Sequence, residues 1–276
     1  MINYTVIGDS QADYDESIYK KIDRKPKNFN IRYNTRANVD AIFWRDGDMF
    51  AADGDSNINY GCLTESRAIT PAVYDRFESS IPSIMDSFKY VFTHSYDLIG
   101  RHKNIKWIPA NGTWIRNPKV YEHKVNLVSM ITSSKGYCDG HRRRTMLANE
   151  LRGKVDLYGR GFNEIEFKED GLATYMFSVA HENAYYPGYF TEKILDCFAT
   201  GTIPIYWGDP EIGRVFNIDG VITLDENFTP DSLTPELYYS KIDAVKENCR
   251  IVKDNFMMVE DYIYDNYFKE HGDDLL

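Results

Sequence analysis

Short apolar runs, many of them β-branched, alternate with polar stretches of helical character along most of this chain. The runs predict strands at Tyr4–Ile7, Ala41–Trp44, Gly61–Leu63, Tyr90–Thr93 and Lys106–Pro109. A second series follows at Val125–Thr132, Val155–Tyr158, Met176–Ala180, Ile203–Trp207 and Val221–Leu224. Most runs are too short and too uniformly apolar for strands with one wet face, so they read as buried parallel strands. Helical patterns such as Arg143–Leu151 and Glu192–Phe198 lie between them. This alternation predicts an α/β fold with parallel sheets covered on both faces. An apolar stripe of Leu237, Ile242, Val245, Val252, Phe256, Val259 and Ile263 predicts one long C-terminal helix, from about Pro235 to Tyr267.

The stretch from Asn111 to His123, with Gly112, Pro118 and mixed charge, separates the two strand series and reads as a linker. Two Rossmann-like domains are therefore expected, 1–122 and 123–276, with a cleft between them. In such sheets ligands bind beyond the carboxyl ends of the strands, so candidate chemistry is sought there. Composition narrows the choice. The 276 residues carry 32 Lys and Arg against 42 Asp and Glu, a net charge of −10. That disfavours a nucleic-acid binder, which needs a basic face. Hydrophobic residues make up 43%, enough for a packed core. No apolar run reaches the ~18 residues of a membrane span, so membrane contact is expected to be peripheral at most. The first residues, MINYTVIGDS, lack the pattern of a secretory signal. Cys62, Cys138, Cys197 and Cys249 stand singly, with no zinc spacing, which suits reduced thiols and a cytoplasmic setting.

The segment from Phe177 to Pro210 is the most informative. A strand ends near Ala180, and Glu182, Asn183, Pro187, Gly188 and Tyr189 form a loop. Thr191 then caps a helix that Gly201 closes. Lys193 is out of place, because a cation in the first helical turn opposes the helix dipole at a cost of ~0.3–1 kcal/mol. An anion held jointly by Lys193 and the free amides reverses that cost. A solvated Glu192–Lys193 pair is the plainer alternative. A second basic element, Gly140-His141-Arg142-Arg143-Arg144, opens a helix ending near Leu151. Arginine forks suit phosphate, although charge runs are more often solvated.

Glu182-Asn183, Tyr189-Phe190-Thr191-Glu192-Lys193, and Ile203-Pro204-Ile205-Tyr206-Trp207-Gly208 with Pro210 together resemble the signature of glycosyltransferase family 10, the α-1,3/4-fucosyltransferases. The resemblance implies a GT-B architecture whose second domain holds most of a nucleotide sugar. Arg144, seven residues before Leu151 and followed by Val155-Asp156-Leu157-Tyr158-Gly159-Arg160, falls where the family has its phosphate-binding arginine. The resemblance then assigns Arg144 and Lys193 to the diphosphate. It assigns Glu192 and Asn183 to ribose or sugar hydroxyls, and Tyr189 and, more weakly, Ser134 to the donor. His181 stands where the family usually has Phe and Ala184 where it has Ser, both beside the expected donor pocket.

Inverting transfer needs one general base for the acceptor hydroxyl. Glu65, at the carboxyl end of the Gly61–Leu63 strand, is the candidate. Glu65-Ser66 with Thr70-Pro71 is similar to the family's Glu-Ser-Pro and Thr-Pro, with Arg67 in place of the first Pro. Glu78, which also precedes a Ser, is the rival, and a plain surface role for Glu65 stays open. Asp46-Gly47-Asp48 and Asp53-Gly54-Asp55 imitate metal-binding DxD pairs, but Asp-Gly is also a turn dipeptide. With Arg144 and Lys193 present, no cofactor or metal is required, and Mn or Mg is at most a stimulant. The expected function is therefore α-1,3-fucosyl transfer from GDP-fucose to an oligosaccharide acceptor. The alternatives are a GT-B transferase using another nucleotide deoxysugar, and a non-catalytic glycan-binding protein on the same scaffold.

Overall fold

The computed structural model describes residues 2–8, 10–36, 38–52 and 58–269. The chain forms two units, residues 1–111 with 258–276, and residues 112–257. The first contains β1 (Ile2–Ile7), α1 (Ser10–Lys21), β2 (Phe29–Tyr33), β3 (Ala41–Arg45), β4 (Ile58–Leu63), α2 (Pro71–Ile84), β5 (Tyr90–Thr93) and β6 (Ile105–Trp107). Its sheet has the order β2-β1-β3-β4-β5-β6, and every neighbouring pair is parallel.

The second unit contains β7 (Asn126–Ile131), α3 (Asp139–Glu150), β8 (Asp156–Tyr158), β9 (Tyr175–His181), α4 (Glu192–Thr200), β10 (Ile203–Trp207), β11 (Ile222–Thr223), α5 (Pro235–Ser240) and α6 (Ile242–Asn255). Its sheet order is β11-β10-β9-β7-β8, again all parallel. Counted from each unit's first strand, both sheets begin 2-1-3-4-5. The order reverses between β1 and β3 in one unit and between β7 and β9 in the other. Those are the topological switch points, where open α/β sheets bind ligands. The expected architecture of two parallel-sheet α/β units is thus present.

Burial explains which strands form. All seven residues of β9 are buried, and so are the first four of β3 and of β10. The second core joins Val128, Met130, Phe177, Val179, Ile203 and Ile205 to helix residues such as Ala148 and Val245. The first unit has a core on each sheet face. One gathers Ile42, Trp44, Tyr74 and Phe77, the other Tyr4, Phe43, Tyr60 and Phe92.

Three expectations need correction. The chain does not divide once near residue 122 into 1–122 and 123–276. The supposed linker is part of the second unit, because its backbone bonds to α4: Lys119 N donates to Ala199 O at 2.8 Å and Tyr121 N to Thr200 O at 3.3 Å. The single long C-terminal helix is broken. Lys241, Phe256 and Met258 all have non-helical backbone angles. The second break is where the chain returns to the first unit as α7 (Val259–Ile263) and a π turn over Tyr264–Phe268. Finally, β2 and α1 were not anticipated. β2 is an edge strand with alternating exposure, and α1 is a largely polar helix.

Candidate active site

The site in the second unit is built at its switch point. Gly159, at φ +105°, lets its strand end lie against the loop after β7, since a Cβ there would meet Thr132 O at 2.0 Å. Gly140 plays the same part between α3 and the loop after β9: its Cβ would stand 2.0 Å from Asn183 O. The first turn of α3 is therefore pressed onto Asn183, and Cys138 Sγ donates to the same carbonyl at 3.4 Å. These glycines bring Arg144 beside the end of β9, where its Nη1 lies 3.5 Å from His181 O.

Glu182 is the hub and is wholly buried, at 0% exposure. Its Oε1 accepts from Thr191 N at 2.9 Å, and its Oε2 accepts from Thr191 Oγ1 at 2.8 Å and from Lys193 Nζ at 3.0 Å. Lys193 Nζ also donates to Thr191 Oγ1 at 2.8 Å and lies 3.5 Å from Glu192 Oε1. Gly208 leaves room for this hub, since its Cβ would fall 2.6 Å from Glu182 Cγ. Glu182 was quoted in the sequence motif but not chosen as a site residue. A carboxylate ending an otherwise apolar strand, eleven residues before an ill-placed lysine, was the available signal.

Lys193 is thus neither solvated nor bare. Burial lowers its pKa, but Glu182 and Glu192 overcome that and leave it raised. Burial works to raise the Glu192 carboxyl, and Lys193, Lys168 and the Thr191 hydroxyl outweigh it to leave a net lowering. Arg144 is the less satisfied cation. It is 5% exposed, and its Nε has no hydrogen-bond partner among the described residues. Burial lowers its pKa, opposed by the charges of Glu182 and Glu192 and by Tyr189. A buried guanidinium with one long hydrogen bond is costly, and an anion beside it removes the cost.

Of the residues expected here, Arg144, Tyr189, Glu192 and Lys193 share one electrostatic neighbourhood, and Asn183 forms its wall against α3. Ser134 is exposed on the loop after β7, with its Oγ 3.4 Å from where a Gly161 Cβ would be. His181 stacks on Trp207, ring centroids 4.3 Å apart, and its Nδ1 donates to Glu182 O at 2.7 Å. Its pKa falls to about 4 through burial and the nearby Arg144 and Lys193. The neutral ring presents an acceptor at Nε2 that Phe lacks. Ala184 is buried.

Glu65 lies in the first unit, immediately after β4, and is half-buried. Its Oε1 accepts from Ser66 N at 2.7 Å. Its own backbone is pinned on both sides. Glu65 N donates to Asp46 Oδ1 at 3.2 Å, and Glu65 O accepts from Tyr74 OH at 2.8 Å. Asp46, in a left-handed turn at φ +46°, also accepts from Thr64 N at 3.0 Å and Thr64 Oγ1 at 3.2 Å. Burial pushes its carboxyl up to about 6. Asp46 therefore positions the Glu65 loop, and among the described residues no cluster of three His, Cys, Asp or Glu is arranged to hold a metal. Asp53-Gly54-Asp55 lies outside the described residues. The rival, Glu78, is paired with Arg67 at 2.5 Å and Arg101 at 2.8 Å on α2. Arg67, the departure from the Glu-Ser-Pro pattern, is half of that pair.

Two units, each a parallel sheet with the strand order 2-1-3-4-5 at its core, are the architecture of the GT-B fold. A solved α1,3-fucosyltransferase structure superposes with a TM-score of 0.53 over 90% of this chain and 82% of that chain, at 16% identity. A second, solved with GDP, gives 0.50 over 94% and 82%, also at 16% identity. These likenesses are of fold. Residues 121–248, which lie almost wholly in the second unit, match the glycosyltransferase family 10 (fucosyltransferase) C-terminal model. The α-(1,3)-fucosyltransferase FucT of Helicobacter pylori is 44% identical over 57 residues, a stretch covering 21% of this chain and 12% of that protein. No helix among the described residues is long and apolar enough to cross a membrane.

Proposed function

We propose that this protein is an inverting fucosyltransferase that moves L-fucose from GDP-β-L-fucose to a hydroxyl of an oligosaccharide in α-1,3 linkage. The observation that carries the reading is Arg144, buried with an unpartnered Nε beside the Lys193–Glu182 hub at the switch point. The relatives' names supply the sugar. Arg144 and Lys193 hold the diphosphate and stabilise its charge as the sugar leaves. Glu192 and Asn183 bind hydroxyls, Tyr189 packs on the donor, and Ser134 stands at the rim. Glu65 takes the acceptor proton while the acceptor oxygen attacks the anomeric carbon from the face opposite the departing GDP. Its present bond to Ser66 N is local and exchangeable. The reaction proceeds without a resident cofactor, and Mn or Mg acts only as a stimulant.

A second reading keeps the chemistry and changes the sugar. His181, with an acceptor nitrogen in place of Phe, favours it. Thermal-shift titration with GDP-, UDP- and dTDP-sugars, followed by incubation with galactosides and N-acetylglucosaminides, separates the two. Stabilisation by GDP-fucose and formation of a fucosylated product are expected. Stabilisation only by a different nucleotide sugar selects the second reading, and sugar binding without any nucleotide binding marks a glycan-binding protein.

A further inference from the structure

His141 lies in the first turn of α3, three residues before Arg144 and so on the same helix face. It is 5% exposed, and its Nδ1 has no hydrogen-bond partner among the described residues. One helix face thus presents two buried nitrogens without hydrogen-bond partners among the described residues, His141 Nδ1 and Arg144 Nε, at a helix start, where backbone amides ordinarily lack intrahelical partners and favour anions. Leaving such a polar atom buried and unpaired is unfavourable, and this helix face carries two of them. We infer that His141 is a third phosphate-binding residue of the donor site, taking up a proton from solvent as the diphosphate enters and donating Nδ1–H to a phosphoryl oxygen. This rests on the donor reading above.

The charges around His141 explain why the proton waits for the ligand. Burial, Arg144 on α3, Lys193 on α4 and Lys135 on the loop after β7 all disfavour the imidazolium and push its pKa to about 4. Tyr137 sets its ring edge-on to the imidazole, 5.9 Å between centroids. Glu182 and Glu192 counter Lys193 and Arg144. A diphosphate reverses the local sign, because its negative charge favours the protonated ring. One proton passes from buffer to the ring, and no covalent bond changes. Binding and leaving-group stabilisation then share an added cation that forms only together with the bound diphosphate.

Calorimetric titration of GDP in buffers of differing ionisation heat, near pH 7, reads both parts. Wild type is expected to gain protons on binding. H141F should bind GDP roughly ten- to a hundred-fold more weakly, as loss of a hydrogen bond to a charged group does, and without that part of the uptake. H141N keeps a donor near the Nδ1 position, so it should recover most of the affinity without the proton. The nucleotide's own phosphate titration is common to all three proteins and cancels. Wild-type affinity in H141F, or equal uptake in wild type and H141N, overturns the role of His141 while leaving the donor reading intact. Failure of the wild type to bind GDP overturns the donor reading, and this inference with it.

Discussion

The two units share a strand order and differ in what stands at its reversal. In the second, the switch point holds the buried Arg144 and the partly buried Lys193, and Arg144 Nε and His141 Nδ1 have no hydrogen-bond partner among the described residues. In the first, the carboxylates nearest the strand ends are occupied. Asp46 holds the backbone of Thr64 and Glu65, Glu78 is paired with two arginines, and Glu65 caps Ser66. At one sheet end a buried guanidinium keeps a nitrogen without a hydrogen-bond partner among the described residues, and at the other the carboxylates are engaged by neighbouring donors. The same topology therefore says where to look, and only the balance of hydrogen bonds says what is wanted there.

The sharpest way to break this contrast is Glu65→Gln. Transfer should fall by roughly 10²- to 10⁴-fold, as loss of a general base does, while GDP-fucose affinity holds. Undiminished transfer would remove the base from the first unit's β4 loop. Arg144→Ala and Lys193→Ala act on the other side of the comparison. Each should cost roughly 10²- to 10³-fold in turnover, through lost stabilisation of the departing phosphate. Because Lys193 is already shared with Glu182 and Glu192, Arg144→Ala is expected to weaken GDP binding more. The reverse ranking in a binding titration would make Lys193 the main anchor.

The smallest effect concerns pH and the first unit alone. Burial raises the Asp46 carboxyl to about 6 from an ordinary value of 3.8. A folded-state pKa above the unfolded one means the native state holds its proton longer. Its contribution to stability is complete below about pH 4 and is lost as the pH rises through about 6. Asp46→Asn should flatten the dependence of melting temperature on pH in that window. An unchanged slope would show that Asp46 titrates alike in the folded and unfolded chain.

The legibility of the two units follows the same division. Strands such as β9 and β10 are apolar on both faces and stand out from any neighbour. β2 alternates buried and exposed residues at an edge, and its Asn30 and Arg32 hide it among loops. The C-terminal stripe misled because Phe256, Val259 and Ile263 keep a helical period across a break, while serving different cores. At the site, Arg144 and Lys193 were readable as cations without local reason. Glu182 and His141 were not, because their meaning lies in bonds made or left unmade with residues distant in sequence. Asp46 was read as a turn or a metal ligand, and its hold on Glu65 appears only when β3 and β4 are side by side.

The return of the chain after residue 257 has a consequence for biogenesis. Ile263 and Phe268 complete the core around Tyr4, Phe29 and Phe92, Asp261 Oδ1 accepts from Lys27 N at 2.8 Å, and Tyr267 OH donates to Trp107 O at 2.5 Å. Domains ordinarily mature in the order a ribosome delivers them. Here the unit that emerges first waits for the segment carrying Ile263 and Phe268, made after the whole second unit, before its interior can close. A chain stopped near residue 257 would keep the second unit whole and leave the first without part of its interior.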